Sequence, residues 1–590
     1  MNAENQNKIS RRGFFSATAG AALGFAFANP LRATAGQPAA FDVIIKNGTI
    51  HAGDGRAPIS GDLGIKDGKI AAIGKLDGGA EQVVDASGRA VSPGFIDIHT
   101  HTDTNLLRLP AGDSHVHQGV TTDVGGNCGA SPFPYSDAEF AKNKDTLRHG
   151  HPYWQHVDGF YAALEKSKIG INYASLTGHG RLRSAVMGHD NTAKATPAQT
   201  KQMRELLAKQ MESGSMGMSC GLIYKPGIYA STGELVELCK VVAEYDGLFS
   251  IHMRSEAGSV LESLREAIDI ARRSGARLQI SHMKTSGRRN WQKAPAMLKL
   301  VDEAVGSGID IAFDRYPYTA SSTSLSSSFL PLDVKQGGTA QIVARLKDPQ
   351  KAAEIDRFNA SSLESKGARD VIISSCRKSE NRKYVGKNLE ECSELSGMGP
   401  LEFIRHILIS ENLSVSMISF SMSEENLRLF YAHPLAMLGS DGSAISTKAN
   451  PGSHPHPRNF GAFPRFLGTY SRELKIVDLP AAIYKMSGLP ASRLKLKDRG
   501  LLAPGYCADV VVFDPKTVCE LSTYANPRQY NKGIEHVFVN GAWTIKHGRH
   551  TGALAGSVLR HKSGGSFHLP CMGAGCSRHH ENRFFKVPLG

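Results

Sequence analysis

FIDIHTHTD, residues 95–103, decides how this chain folds. Ile96, Ile98 and the pair His99 and His101 fit a period of two, so an apolar strand ends in two histidines on one face. Two imidazoles are too few for a metal. A catalytic zinc takes three protein ligands, and a two-metal site needs an anion shared between the ions. The other ligands and the bridge must come from elsewhere in the chain.

Outward from that strand, apolar runs alternate with helical segments, the pattern of a parallel barrel or a doubly wound sheet. Eight strands are predicted, over 94–101, 119–127, 171–178, 216–222, 248–254, 278–283, 309–314 and 435–441. In a barrel, polar residues at the C-terminal ends of strands converge. Those ends supply Cys128 in GGNCG, His252 in SIHMR, His282 in ISHMK and Asp441 in GSDG. Five metal-type side chains and an aspartate, closing apolar strands, point to a metal site at one end of the barrel.

Residues 36–92 are short strands around Asn47-Gly48 and Asp67-Gly68, dipeptides that type I′ hairpin turns favour. The same texture returns over 486–556, with Asn540-Gly541, so both chain ends are expected to build one small β domain. The α/β barrel fills 93–330 and 415–485, and 331–414 is too long for one crossover. That stretch is expected to be an inserted lid over the barrel mouth.

The net charge of +14 resembles a nucleic-acid signal, but half of it lies in the two ends. Residues 1–35 carry Lys8, Arg11, Arg12 and Arg32 against Glu4, and 557–590 carry five basic residues against Glu581. The rest has no stripe of basic and aromatic residues, which argues against nucleic-acid binding. Twin arginines Arg11 and Arg12, a modest apolar run and Ala33-Thr34-Ala35 resemble a bacterial twin-arginine export signal cleaved near Ala35. The expectation is a periplasmic protein that meets the twin-arginine export machinery and has no membrane anchor. Nine scattered cysteines leave disulfides open, with Cys376–Cys392 and Cys571–Cys576 as possible pairs.

The order HxH, single His, single His, Asp resembles the amidohydrolase superfamily. The cysteine in GGNCG, with GMSCGLIYKPGIYAST, HMRSE, SHMK, YPYTASST, GSDG and HPRNFGAFPR, is similar to its D-aminoacylase branch, the N-acyl-D-amino-acid deacylases. The resemblance covers about residues 41–560. It implies a metal-dependent (β/α)8 TIM-like barrel with a small β-sandwich. It also implies a tight Zn2+ on Cys128, His252 and His282, and a weaker one on His99, His101 and the shared Cys128. Asp441, beside the metals, would move the proton in amide hydrolysis. Tyr224 and Lys284 match positions that hold the substrate; Arg254, Arg315 and His179 are further substrate-binding candidates.

Other readings compete. A cyclic-amide hydrolase or an N-acyl-D-glutamate or D-aspartate deacylase would share the superfamily, and a scaffold on an inactive amidohydrolase fold would be expected to have lost ligands. GMSCG also spells the serine-hydrolase elbow around Ser219, but Pro226 and Gly227 stand where its helix must begin. A second HxH, His115 and His117, precedes its strand and is expected away from the mouth. His454 and His456, in a Pro-rich loop, and Cys220 read as structural.

Overall fold

The computed structural model describes residues 40–143, 152–448 and 452–562. Its central element is a ring of eight parallel strands: Phe95–Asp97, Val120–Gly125, Asn172–Ser175 continued by Thr177–Gly178, Gly217–Gly221, Leu248–His252, Arg277–Ile280, Ile311–Arg315 and Ala436–Leu438. Neighbours pair in parallel register around the ring. Just past the first and last strands, a parallel bridge between Thr100 and Gly442 closes it. Strands such as Gly217–Gly221 and Leu248–His252 are buried at every residue, as expected where side chains fill the ring and helices cover it.

The covering helices follow from their spacing. Val260–Ser274 buries Val260, Leu264, Ala267, Ile268 and Ala271 on one stripe and ends at Gly275, whose φ of 76° is the left-handed conformation glycine adopts cheaply. Thr232–Glu244 begins at Ser231, whose hydroxyl accepts from the Glu234 amide. The carboxylate of Glu234 does not complete a capping box; it pairs with His179 and Arg183.

Segments 41–93 and 510–550 meet in one nine-stranded sheet, counted among the described residues. The C-terminal strand Val510–Phe513 lies antiparallel to Ala90–Pro93. Asp67-Gly68 and Asn540-Gly541 each take positive φ at both residues and turn tight hairpins. Asn47-Gly48 does not. Phe41–Ile50 runs through it as one strand, and the pair forms a register shift against Ile59–Lys66.

The insert begins and ends elsewhere than the sequence suggested. Ala320–Ser324, Val371–Ser375 and Ser416–Phe420 form a separate three-stranded antiparallel sheet, backed by helices that share their own apolar cluster. The strand at 416–420 therefore belongs with the insert rather than with the barrel. Likewise, helix Gly488–Leu494 packs Leu489 and Leu494 under the barrel against Ile96 and Ile98, outside the β domain. Residues 557–562 lie along the barrel too, where Leu559 donates to Tyr173 and His561 to Gly214. The export-signal reading and the Cys571–Cys576 pair lie outside the described residues. Cys376 and Cys392 are free thiols. Among the described residues, no helix is long and apolar enough to cross a membrane.

Candidate metal centre

At the C-terminal mouth of the ring, Cys128 sits between two groups of histidines. Its sulfur lies 3.4 Å from His99 Nε2, 3.4 Å from His282 Nε2 and 3.7 Å from His252 Nδ1. Tetrahedral zinc with its usual bond lengths to nitrogen and sulfur would set such ligands roughly 3.3–3.6 Å apart. The donor atoms fall into two convergent sets, His99, His101, Cys128 and Asp441, and Cys128, His252 and His282, with Cys128 common to both. Within the second set His252 Nδ1 and His282 Nε2 are 2.9 Å apart, and within the first His101 Nε2 and Asp441 Oδ1 are 3.0 Å apart. The chemistry also fits, because a thiolate can face two cations at once. Burial alone would raise the Cys128 thiol, yet the imidazoles of His99 and His282 hold it well below the ordinary thiol range.

The backbone here is bent to purpose. Cys128, His282 and Asp441 have φ of 52°, 35° and 52°, the left-handed region that non-glycine residues enter at a cost. Three site residues held this way, each just past a strand end, mark where the fold spends stability to aim side chains. The loop carrying Cys128 is tied down by Ser219, whose hydroxyl accepts from Gly129 N and donates to Gly126 O. The elbow reading fails on the same ground: the strand is followed by a short 3-10 turn at Gly227–Tyr229, and the helix starts only at Thr232.

Two carboxylates that the spacing did not single out organise the histidines. Asp314 accepts from His99 Nδ1 at 3.1 Å, from the His282 amide at 2.7 Å and from Gln279 at 2.8 Å. Glu256 accepts from Lys284 and lies 2.9 Å from His282 Nδ1. Burial would raise Glu256, but Lys284 and the two histidines keep it well below the usual range. Behind them Asp97 accepts from the amides of Ser440 and His99, and His115 pairs with Asp123, entirely enclosed. His117 stacks on Tyr530, 3.8 Å between ring centres.

Asp441 is reached from both sides. His101 Nε2 lies 3.0 Å from Oδ1, and Arg458 donates to Oδ2 at 2.7 Å. Burial would raise this carboxyl; Arg458 and the surrounding histidines hold it far below its ordinary range, so it is an anion. The sequence reading missed Arg458, although HPRNFGAFPR had been singled out as a motif. The signal was an arginine at the start of a helix after the last strand, and nothing in its spacing pointed into the mouth.

The cavity at this mouth has a volume of about 500 Å³. Tyr224 and Lys284 line it, but Lys284 is already engaged by Glu256 and His282. Three substrate candidates stand outside it. Arg254 is spent on Glu266 and on the carbonyls of Ile228 and Ala230. Arg315 is buried behind the wall, bonded to Tyr318 O and Met422. His179 is enclosed against Glu234. Each of the three already holds a carboxylate or carbonyl of the protein away from the cavity. His454 and His456 bond to the carbonyls of Tyr524 and Ala320, and Cys220 is packed in the core.

A family model described as "Amidohydrolase family" matches residues 82–545. The chain belongs to the amidohydrolase family. A D-aminoacylase from Alcaligenes xylosoxydans xylosoxydans is 34% identical over 521 residues, covering 88% of this chain and 97% of the relative. An N-acyl-D-glutamate deacylase from the same organism is 35% identical over 501 residues, covering 85% and 93%. Among solved structures, an N-acyl-D-glutamate deacylase from Bordetella bronchiseptica, complexed with zinc and a phosphonate inhibitor, superposes with a TM-score of 0.74. It is 33% identical and covers 88% of this chain and 99% of its own. The barrel with a β domain from both ends is thus this family's architecture.

Proposed function

We propose that the protein is a zinc-dependent hydrolase of the amide bond of N-acyl-D-amino acids, releasing a carboxylate and a D-amino acid. The observation that carries this is Cys128 shared between two histidine sets, with an anionic Asp441 at their edge. Cys128, His252 and His282 would hold one zinc, and His99, His101 and Cys128, with Asp441, a second, weaker one. When bound, zinc polarises the amide carbonyl and makes water acidic enough to attack near neutral pH.

The protein's own groups do the rest. Asp441, held by His101 and Arg458, takes a proton from the attacking water as its oxygen bonds to the carbonyl carbon. It gives that proton to the amide nitrogen as the carbon–nitrogen bond breaks. The substrate's α-carboxylate is two bonds from that nitrogen, so its cation must stand beside Asp441. Arg458 does so, and its guanidinium retains free donors. Tyr224, which also lines the cavity and is bonded to Thr323, contributes to the substrate site. Lys284 serves first to neutralise Glu256 beneath the histidines.

Three fixed points, the carbonyl, the leaving nitrogen and the α-carboxylate, let the side chain enter the cavity in one hand only. Turnover of paired N-acetyl-D- and N-acetyl-L-amino acids by the zinc-loaded enzyme tests this. A D preference of about a thousandfold is expected, from the cost of unpairing a buried charge. Equal rates or an L preference would refute it. The insert walls the mouth through Thr323 and Ser421 and is read as a cover that closes on substrate. Residues 1–35 are read as a twin-arginine signal that delivers the folded, metal-loaded enzyme to the periplasm.

A further inference from the structure

Four cationic side chains line the cavity: Lys225, Lys284, Lys366 and Arg458. Three have a carboxylate. Lys225 pairs with Asp190 at 2.9 Å, Lys284 with Glu256 and Arg458 with Asp441. Lys366, the last residue of helix Pro349–Lys366 in the insert, has neither a carboxylate nor a hydrogen-bond acceptor among the described residues; the ring of Phe329 lies 5.3 Å from its ammonium. Its surroundings lower this lysine to about 8, through desolvation. The same wall carries a second orphan. Ser419, 2% exposed on the insert's central strand, has a buried hydroxyl with no partner. On the insert's side the cavity is also lined by Ser321, Thr323 and Ser421, with Met417 as the apolar member.

The Ser419 hydroxyl, buried without a partner, is costly unless a ligand completes it, and the Lys366 ammonium lines the same cavity with no carboxylate of its own. That ligand is not the α-carboxylate, which the leaving nitrogen holds beside Asp441 and Arg458 past the barrel's last strand, whereas Lys366 and Ser419 belong to the insert. We propose that Lys366 and Ser419 form a subsite for a second carboxylate on the substrate, so that the enzyme prefers N-acyl-D-amino acids bearing a further anionic group, as N-acyl-D-glutamate does. This rests on the deacylase reading above and narrows it. The second carboxylate can sit in the amino-acid side chain or in the acyl chain.

Two substrate pairs separate those sources: N-acetyl-D-glutamate against N-acetyl-D-glutamine, and N-succinyl-D-alanine against its succinamoyl amide. In one pair the acid should be favoured in kcat/KM by roughly tenfold to a hundredfold, the worth of one charge-assisted hydrogen bond. Lys366→Met should bring that ratio to near one, Lys366→Arg should keep most of it, and Lys366→Glu should shift preference toward N-acetyl-D-lysine. Because each result is a ratio within one variant, partial misfolding cancels. Ratios near one in the wild type, or a Lys366→Met ratio equal to wild type, would overturn the subsite. Hydrolysis of neutral D-substrates alone would sink this inference and leave the deacylase reading standing; no hydrolysis of any D-substrate would sink both.

Discussion

Asp314 accepts three hydrogen bonds, and replacing it separates charge from shape at the metal centre. In Asp314→Ala, His99 Nδ1, the His282 amide and the Gln279 amide all lose their acceptor in a fully enclosed place. Each buried, unpaired donor costs about 1–3 kcal/mol, so a loss of roughly 3–6 kcal/mol is expected after allowing for relaxation. Asp314→Asn is gentler. Its carbonyl oxygen can still accept from His99 and His282, and Gln279, whose own oxygen has no partner, can flip to accept from the new amide. The variant keeps the fold and removes the negative charge behind His99. A histidine ligand without its carboxylate partner binds metal about 10- to 100-fold more weakly. The loss should fall on the site containing His99, because His282 meets Asp314 through its backbone and not its ring. Zinc titration against a competing chelator, with thermal unfolding of both metal-free variants alongside, reads the two effects separately. An Asp314→Asn protein that binds both metals as tightly as wild type would refute the reasoning, as would equal weakening at both sites.

Cys128→Ala should remove tight zinc and turnover together, since it deletes the ligand common to both sets; metal analysis of the purified variant, with full zinc and full rate as the refuting result, decides it. His51 and His536, both 4% exposed, have imidazoles that burial pushes down to about 4. The unfolded chain therefore takes up protons first as pH falls from about 6.5 to 4, and stability declines through that window, by roughly 2 kcal/mol per histidine at pH 5. His51→Gln should flatten the fall of the unfolding temperature between pH 7 and 5, and an unchanged slope would exclude His51 as its source. Arg11→Lys with Arg12→Lys should leave a folded, active enzyme in the cytoplasm on fractionation, whereas normal periplasmic delivery would remove the signal reading.

The barrel was legible because its strands announce themselves twice, by apolar runs and by what ends them. All eight strand positions coincide with predicted ones to within a few residues, since a fully buried parallel strand leaves few other uses for such a run. The insert was legible only as excess length. Ala320–Ser324, written ASSTS, has no apolar face, and it pairs across the sheet with Ser416–Phe420 nearly a hundred residues away. A strand half exposed to a cavity carries the polarity of that cavity, so its sequence resembles a loop. Asn47-Gly48 misled for a related reason: positive φ suits a bulge as well as a hairpin, and partner strands decide between them.

At the site, residue type revealed the ligands and concealed their supports. A histidine or cysteine closing an apolar strand is rare enough to be read alone, whereas a cation's role depends on which carboxylate stands nearest in space. Arg254 and Arg458 look alike in sequence, yet Arg254 meets Glu266 on the outside of the ring and Arg458 meets Asp441 at its mouth. The same rule explains Lys284, a substrate cation by position in the chain and a counter-ion to Glu256 by position in the fold. Charges in a low-dielectric mouth are matched one to one before any ligand arrives, because an unmatched one costs several kcal/mol. What a substrate can recognise is the remainder after that matching: the spare donors of Arg458 beside Asp441, and Lys366 with Ser419 on the wall of the insert.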